Sequence, residues 1–260
     1  MAKHVAIRSS FQAATNRRWR IRSGAASGSD ASDRNRRLPG RINMINGIRL
    51  KVCGPTSLAD ADMADRVGAD FLGFVLSPKS PRCVTLEQFR AMAGRLPRRK
   101  KVAVTVEPSV AELREIAAAG FDFVQVHFDA SLVPAGTAAW AAEAGRNRLW
   151  LAPRVAPDAD FPEALLPLSN TFLFDAFSAD KFGGSGKTAD WTKFRRHREA
   201  QPEKTWILAG GLTPENIGVA LKATGAQVVD VNSGVEASPG KKDPAKLAAF
   251  AAELAEVRMV

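Results

Sequence analysis

The sequence has few cysteines and no long apolar segment. It contains two cysteines among 260 residues, too few for the disulfide framework of a small secreted protein, so a reducing compartment is expected. No apolar run approaches the ~20 residues that a membrane-spanning helix needs. These features predict a cytoplasmic chain without a membrane partner, whose length allows one large core in one or two domains.

One glycine-rich stretch lacks what a nucleotide site requires. The segment DKFGGSGKTADW, residues 180–191, ends a Walker pattern with its GKT triplet, but Lys181 occupies the position of the first required glycine. The same segment matches G-x-G-x-x-A, a dinucleotide motif that must lie directly between a strand and a helix. The nearest strand-like segment ends at Asp175, too far upstream. Both nucleotide interpretations therefore fail.

Acidic residues are scarce in only one part of the chain. Residues 1–48 hold ten Lys or Arg and two acids, so they carry +8 of the formal net charge of +10. The remainder is nearly neutral, which argues against a polyanion-binding groove, and no nucleic-acid partner is expected. Residues 1–46, rich in Ser, Gly, Ala and Arg without apolar periodicity, are predicted to be a disordered basic extension of a folded domain at 47–260.

Two interpretations of this extension remain open. Its first 29 residues contain no acid, as in an organellar transit peptide, but no clear amphipathic helix accompanies them. The alternative is an overlong reading frame whose natural start is Met44. The second interpretation is favoured, and organellar targeting is the less favoured one.

From residue 48 onward, short apolar segments alternate with helical patterns. Eight strand–helix units in about 210 residues predict a single α/β domain, a closed (β/α)8 TIM barrel, since this fold can form from ~200 residues. An open doubly wound sheet is the alternative. The strand segments are 48–52, 71–76, 102–106, 123–127, 149–153, 171–175, 206–209 and 228–231. Helix caps are predicted at Ser57, Thr85, Ser109, Thr213 and Asp243.

The residues that follow the strands indicate a phosphate site. In a barrel of this kind the active site lies at the carboxyl ends of the strands, and phosphate usually binds the loops after strands seven and eight. Here these loops carry glycines, which let backbone amides approach an anion closely. The glycine-rich stretch after strand six is then a flap beside that site. Three further candidates share this face: Cys53 after strand one, Arg82 after strand two and Asp175 at the end of strand six.

Each of these residues also has a purely structural interpretation. A lone cysteine after a strand is more often a small buried hydrophobe, and an arginine is usually solvated. An aspartate can cap a loop, and glycines can simply form turns. Their joint placement at one face of the predicted barrel favours function.

Six motifs in the right order resemble the phosphoribosylanthranilate isomerase family of tryptophan biosynthesis. They are KVCGPT, GADFLGFVLSPKSPR, VQVH, LFDA…GGSGKTADW, LAGGLTPENI and VDVNSGVEASPGKKD, and the similarity covers almost all of residues 48–258. The resemblance implies an Amadori rearrangement of N-(5-phosphoribosyl)anthranilate to 1-(2-carboxyphenylamino)-1-deoxyribulose 5-phosphate. It also implies that neither a metal nor a cofactor takes part.

The resemblance assigns the two groups that transfer protons. The family uses a cysteine after strand one as general base and an aspartate after strand six as general acid, which correspond to Cys53 and Asp175. Because the acid must be protonated to open the sugar ring, the pKa of Asp175 is expected to lie well above ~3.9. The pKa of the Cys53 thiol, ordinarily ~8.5, is expected to be drawn down by the positive field of the barrel mouth.

The same resemblance places the two anionic ends of a phosphorylated small-molecule substrate. Arg82 is expected to bind the anthranilate carboxylate, since its planar fork suits a carboxylate. Asp230 is expected to contact the substrate amine, and His127 to be a structural hydrogen-bonding residue. The oligomeric expectation is a monomer or homodimer. The phosphate is expected at Gly211, Ser233 and Gly234, with the flap glycines Gly184 and Gly186 closing over it.

The chain departs from the family pattern at positions that leave the proposed acid, base and anion contacts intact. These departures are expected to affect the shape of the aromatic-ring pocket and the rate, not the reaction type. They include Ser77, Thr105, Phe128 and Asn232.

The same residues bear on three rival functions. The histidine-pathway isomerase performs the same rearrangement, but that family resembles a two-fold repeat with an aspartate after strand one, where this chain has Cys53 and shows no repeat. A non-catalytic paralogue that only binds a sugar phosphate is disfavoured because Cys53 and Asp175 are both retained. A nucleic-acid binder acting through residues 1–46 predicts affinity that collapses with salt.

Overall fold

A closed eight-stranded barrel is the centre of the part of the chain that the structure describes. The computed structural model describes residues 44–130, 136–156, 159–175 and 190–257. All eight strands are parallel, and β8 pairs with β1 to close the sheet. The strands are β1 Arg49–Cys53, β2 Phe71–Val75, β3 Lys100–Val106, β4 Phe123–Asp129, β5 Leu149–Arg154, β6 Thr171–Phe174, β7 Thr205–Leu208 and β8 Val228–Val231. The predicted TIM barrel is confirmed, and the open doubly wound sheet is excluded. The boundary of the predicted extension stays a prediction, since residues 1–43 lie outside the described residues.

Seven α-helices accompany these strands in the described part of the chain. They are α1 Leu58–Arg66, α2 Leu86–Ala93, α3 Val110–Ala118, α4 Gly136–Ala144, α5 Trp191–Ala200, α6 Ile217–Thr224 and α7 Pro244–Glu256. Four predicted caps are confirmed: Ser57, Thr85, Ser109 and Asp243 each accept a backbone N–H of the first turn. None of the described helices combines the length and apolarity needed to cross a membrane.

The fifth strand–helix unit departs from the predicted repeat. Between β5 and β6 the described residues form only a 3₁₀ helix, Glu163–Leu165. Phe161 is buried there, and its ring lies 5.3 Å from Phe172 of β6 and 5.2 Å from Trp206 of β7, centroid to centroid. An aromatic cluster therefore covers the side of the barrel where a helix was predicted.

The start of α6 also differs from the prediction. The sequence predicts Thr213 as the cap with Pro214 as the first helical residue, but α6 begins at Ile217. The Asn216 side chain accepts a hydrogen bond from the Thr213 amide at 2.9 Å and donates one to the Gly211 carbonyl at 2.8 Å. These two bonds hold the residues after β7 as a turn, so the helix starts after Asn216.

Side-chain alternation along the strands divides the core into two layers. One layer lies between the sheet and the helices and includes Leu50, Val52, Leu72 and Phe74. The other fills the barrel. It comprises Cys53, Phe71, Val75, Val102, Val104, Trp150, Ala152, Leu173, Ile207, Ala209 and Val228. Four buried polar side chains also face the inside of the barrel: Lys51, Gln125, His127 and Asp230. Buried polar side chains of this kind are uncommon unless they are paired.

A short antiparallel hairpin follows β8 and extends the barrel mouth. Its strands are β9 Glu236–Ser238 and β10 Lys241–Lys242. The Thr56 hydroxyl donates to the Gly240 carbonyl at 2.8 Å, and the Lys242 amide donates to Asp60 Oδ1 at 3.1 Å. The hairpin is therefore tied to the loop after β1 and to the first turn of α1.

Candidate active site

Cys53 ends β1 inside the barrel and is 5% exposed. It pairs in register with Gly73 of β2. A methyl group on residue 73 would lie 2.9 Å from Lys51 Nζ and 3.2 Å from Cys53 Sγ. A glycine at this position is therefore what allows a lysine ammonium and a cysteine thiol to occupy the same small space.

The ammonium of Lys51 is fully buried and forms an ion pair with Asp230 of β8 at 2.6 Å. Burial alone would lower the pKa of Lys51, but the charge and the hydrogen bond of Asp230, with a contribution from Cys53, raise it overall, so the side chain stays protonated. Removing one partner of such a pair would leave an uncompensated buried charge. This pair joins β1 to β8 and fixes a cation beside the thiol.

The pKa of Cys53 runs against the expectation from the sequence. Burial raises it, Lys51 and Lys242 lower it, Asp230 raises it further, and the net direction is upward. The predicted lowering is wrong, because the loss of hydration outweighs the attraction of the two ammonium groups. The thiol form therefore prevails at neutral pH.

Asp175 directly follows β6 and is half-buried. Leu173 packs inside the barrel, and Asp175, two residues further along the extended chain, lies on the same side of it. The closed strand order puts Asp175 and Cys53 at the same rim, on strands separated only by β7 and β8. The flap glycines Gly184 and Gly186 lie outside the described residues.

The two loops predicted to bind phosphate are packed against each other. Gly210 and Gly211 have φ values of +85° and +64°, in the region that favours glycine. The loop after β8 continues as a 3₁₀ helix, Ser233–Val235. A methyl group on Gly234 would lie 2.0 Å from the Leu212 carbonyl oxygen, so no larger residue fits without displacing the backbone. The structure thus brings Gly211, Ser233 and Gly234 to one place.

Arg82 is held by the protein rather than solvated. Its Nε and Nη2 donate to the two carboxylate oxygens of Glu236 at 2.9 and 2.7 Å. Lys242 Nζ lies 3.0 Å from Glu236 Oε1 and also donates to Asn232 Oδ1 at 3.0 Å. Glu236 and Lys242 are both buried. The predicted carboxylate-binding arginine is therefore fixed in place by the hairpin that follows β8.

His127 forms a hydrogen bond inside the barrel. Its Nε2 lies 2.7 Å from Gln125 Nε2. Burial, assisted by the charge of Lys51, lowers the pKa of His127 to about 4. The ring is neutral at neutral pH and accepts from Gln125 through Nε2, which agrees with the predicted structural role.

Two of the departures from the family pattern lie away from the barrel interior. Phe128 is fully buried against Trp140 of α4, with ring centroids 5.5 Å apart. Thr105 shares the parity of Ala103, which packs in the outer layer. Neither side chain faces the inside of the barrel, and their expected effect on the aromatic-ring pocket stays a prediction. Ser77 follows β2 half-buried, and Asn232 is bonded to Lys242.

Sequence reasoning missed three charged residues of this site: Lys51, Glu236 and Lys242. Lys51 had a signal, because it shares the inward parity of Cys53 and lies between the apolar residues Leu50 and Val52. Glu236 and Lys242 had none, since Arg82, which Glu236 binds, lies 154 residues away in the chain. Asn216, which closes the loop after β7, was also missed.

Known proteins are similar in sequence to this chain along most of its length. Residues 50–253 match the profile of the family described as N-(5'phosphoribosyl)anthranilate (PRA) isomerase. An N-(5'-phosphoribosyl)anthranilate isomerase from Neisseria gonorrhoeae is 41% identical over 209 residues, which are 79% of this chain and 95% of that protein. One from Magnetococcus marinus is 39% identical over 207 residues, covering 79% and 94%.

Solved structures show the same barrel. Phosphoribosyl anthranilate isomerase from Thermotoga maritima matches with a TM-score of 0.64 and 32% identity, over 80% of this chain and 98% of that chain. A phosphoribosyl anthranilate isomerase in complex with reduced 1-(o-carboxyphenylamino)-1-deoxyribulose 5-phosphate matches with a TM-score of 0.62 and 30% identity, over 80% and 98%. With its barrel, its motifs and these relatives taken together, the chain belongs to the phosphoribosylanthranilate isomerase family.

Proposed function

We propose that Cys53 is the general base and Asp175 the general acid of the isomerisation that this enzyme catalyses. The reaction converts N-(5-phosphoribosyl)anthranilate to 1-(2-carboxyphenylamino)-1-deoxyribulose 5-phosphate in tryptophan biosynthesis. The observation that carries the proposal is the placement of a buried thiol and a carboxyl group at one rim of the barrel, on β1 and after β6. A ring bound between these strands would have one group on each side.

The two groups divide the proton transfers between them. Asp175 donates a proton to the ring oxygen as the bond from that oxygen to C1′ breaks, and the nitrogen lone pair forms a C1′=N Schiff base. Cys53, as thiolate, removes the proton from C2′. The electron pair of that C–H bond forms the C1′=C2′ double bond while the C=N electrons return to the nitrogen, which gives an enolamine. The enolamine becomes the ketone when C1′ gains a proton and the C2′ hydroxyl loses one.

Asp230 has one carboxylate oxygen that can accept a hydrogen bond from the substrate. Its Oδ2 receives the hydrogen bond from Lys51, while its buried Oδ1 has no hydrogen-bond partner among the residues that the structure describes. A buried carboxylate oxygen is costly to leave unpaired. We assign this oxygen to the N–H of the substrate amine.

The anion contacts follow from the loops. The phosphate is assigned to Gly211, Ser233 and Gly234, which the packing of the loops after β7 and β8 brings together. The closing of the flap glycines Gly184 and Gly186 over the phosphate stays a prediction.

We place the enzyme in the cytoplasm.

The reaction is tested by complementation of a tryptophan auxotroph that lacks this isomerase. The chain is expected to restore growth without tryptophan, whether or not histidine is added. Growth of a histidine auxotroph lacking the corresponding isomerase would instead assign the related rearrangement. Failure to restore growth in either strain, despite soluble expression, would contradict isomerase function.

Replacement of Arg82 by alanine is expected to raise the KM for the substrate by about tenfold or more. A hydrogen bond to a charged group contributes roughly 1.5–3 kcal/mol, and 1.4 kcal/mol corresponds to a factor of ten. Because Arg82 binds a part of the substrate remote from the bonds that change, kcat should fall much less. Steady-state kinetics measure both values. Lys79→Ala is the control, since Lys79 is exposed on the same loop. An unchanged KM in Arg82→Ala would remove the arginine from the site.

Removal of residues 1–43, so that the chain starts at Met44, is expected to leave kcat and KM unchanged. The described barrel begins its sheet at Arg49, and every proposed site residue lies on or after that strand. The nucleic-acid affinity of the same two proteins, compared at low and high salt, tests the rival role of the tail, because a tail that bound a polyanion would make the affinity of the full chain salt-dependent. Loss of isomerase activity on truncation would show that the extension belongs to the catalytic unit.

A further inference from the structure

The charge balance around Arg82 raises a difficulty for carboxylate binding. Arg82 already donates two hydrogen bonds to Glu236, at 2.9 and 2.7 Å. An arginine and a glutamate joined in this way have no net charge and attract a further anion weakly. The third charged residue of the cluster, Lys242, restores one positive charge. We propose that Lys242 sets the specificity for a carboxylate-bearing substrate by offsetting Glu236, an inference that rests on the proposed role of Arg82.

Lys242 acts through its charge and not by direct contact with the substrate. Its ammonium has three N–H groups, and the structure supplies three acceptors: Glu236 Oε1 at 3.0 Å, Asn232 Oδ1 at 3.0 Å and the Asn232 carbonyl at 3.2 Å. An ammonium can donate no further hydrogen bonds. Lys242 is therefore a positioning residue, fully buried behind the carboxylate that holds Arg82.

Arg82 retains donors for a ligand. A guanidinium has five N–H groups in one plane, and Glu236 takes only two of them. The bidentate contact fixes the orientation of that plane, so less rotamer entropy is lost when a second carboxylate binds. Glu236 thus orients the arginine while Lys242 preserves its attraction for an anion.

The three charged groups of this cluster shift one another's pKa. Burial alone would raise the pKa of Glu236, but the hydrogen bonds and charges of Arg82 and Lys242 hold it below its ordinary value. Burial lowers the pKa of Lys242, Glu236 and Cys53 raise it and Arg82 lowers it, with a net lowering. The exposed Lys246 adds a further cation nearby and donates to the Glu236 carbonyl at 2.8 Å.

The test compares two ligands that differ only in the carboxyl group. One is reduced 1-(o-carboxyphenylamino)-1-deoxyribulose 5-phosphate, and the other is the same compound with a phenyl ring lacking the carboxyl. Calorimetry gives the ratio of their affinities for each full-length variant. In Lys242→Met this ratio is expected to fall by about tenfold, because only the carboxylate senses the lost charge. Lys241→Met, the exposed neighbour on β10, should leave both affinities unchanged.

A double variant separates charge from structure. Glu236→Gln combined with Lys242→Met restores the single positive charge of Arg82, so the ratio is expected to recover most of its value. If Lys242 is needed only for packing of the hairpin, Lys242→Met will lower both affinities together, and the double variant will not restore them. A common fall of both affinities, a ratio that the double variant does not restore, or an unchanged ratio in Lys242→Met would overturn the proposal.

Two further variants keep the test decisive. If Lys242→Met does not fold, Glu236→Gln alone decides: removal of the negative charge is expected to raise the ratio, and an unchanged or lowered ratio would overturn the proposal. Arg82→Ala tests the underlying assignment. If it leaves the ratio unchanged, the proposed role of Arg82 fails. If it lowers the ratio while Lys242→Met does not, only the role of Lys242 fails.

Discussion

Replacement of Cys53 by alanine is expected to lower kcat by a factor on the order of 10² or more, with a small change in KM. The reason is geometric: Cys53 is the buried thiol at the end of β1, and Lys51 beside it stabilises the thiolate. Alanine keeps the backbone and nearly the same volume, but it cannot remove a proton from carbon. Serine at this position should be equally poor, because a hydroxyl is a far weaker acid than a thiol.

The other cysteine provides the matched control. Cys83 lies outside the barrel interior. Its backbone forms an isolated β-bridge with Val75 at the end of β2, and its free thiol is partly exposed. Cys83→Ala should keep kcat within about a factor of two, since its partly exposed thiol takes no part in the proposed proton transfers. Near-normal turnover of Cys53→Ala under the same conditions would remove Cys53 from the role of base.

The raised pKa of Cys53 shapes the pH dependence without preventing the reaction. A thiolate with a carboxylic acid carries as many protons as a thiol with a carboxylate, so the two forms interconvert without a change in total protonation. Activity is then bell-shaped in pH, with limbs that belong to the pair. The minority form is the reactive one, and Lys51 raises its share by favouring the thiolate.

Much of the fold was predictable because its causes are local. Side-chain alternation along a strand and a hydroxyl or carboxylate before a helix act within a few residues, and β8 and the caps at Ser57 and Asp243 lie where the sequence predicts. The placement of Cys53 and Asp175 at one rim follows from the same local rules, since every strand of a parallel barrel points the same way.

The parts that the sequence did not reveal depend on distant contacts. The 3₁₀ helix after β5 lies where Phe161 packs on Phe172 and Trp206, from two later strands. The Arg82–Glu236 contact joins residues 154 positions apart. The sign of the Cys53 pKa shift likewise required the depth of burial, because nearby cations and desolvation act in opposite directions.

Replacement of Asp175 by asparagine is expected to lower kcat by a factor on the order of 10² or more while substrate binding changes little. Asparagine matches the size of aspartic acid, but its amide cannot protonate the ring oxygen. Asp129→Asn is the control, since Asp129 ends β4 at the same face of the barrel and pairs with Arg154. Substrate binding is measured with the reduced product analogue, so that loss of chemistry is separated from loss of fold.

The pH profiles of the two variants then identify the roles, because each variant retains one proton-transfer group. Asp175→Asn keeps only the base, which works as thiolate, so its remaining activity should rise as the pH increases. Cys53→Ala keeps only the acid, which works when protonated, so its remaining activity should fall as the pH increases. If the remaining activity of both variants changed with pH in the same direction, the two residues could not be assigned to different proton transfers. Profiles with the opposite assignment would exchange the acid and the base, since a group that must be deprotonated gains activity with pH and one that must be protonated loses it.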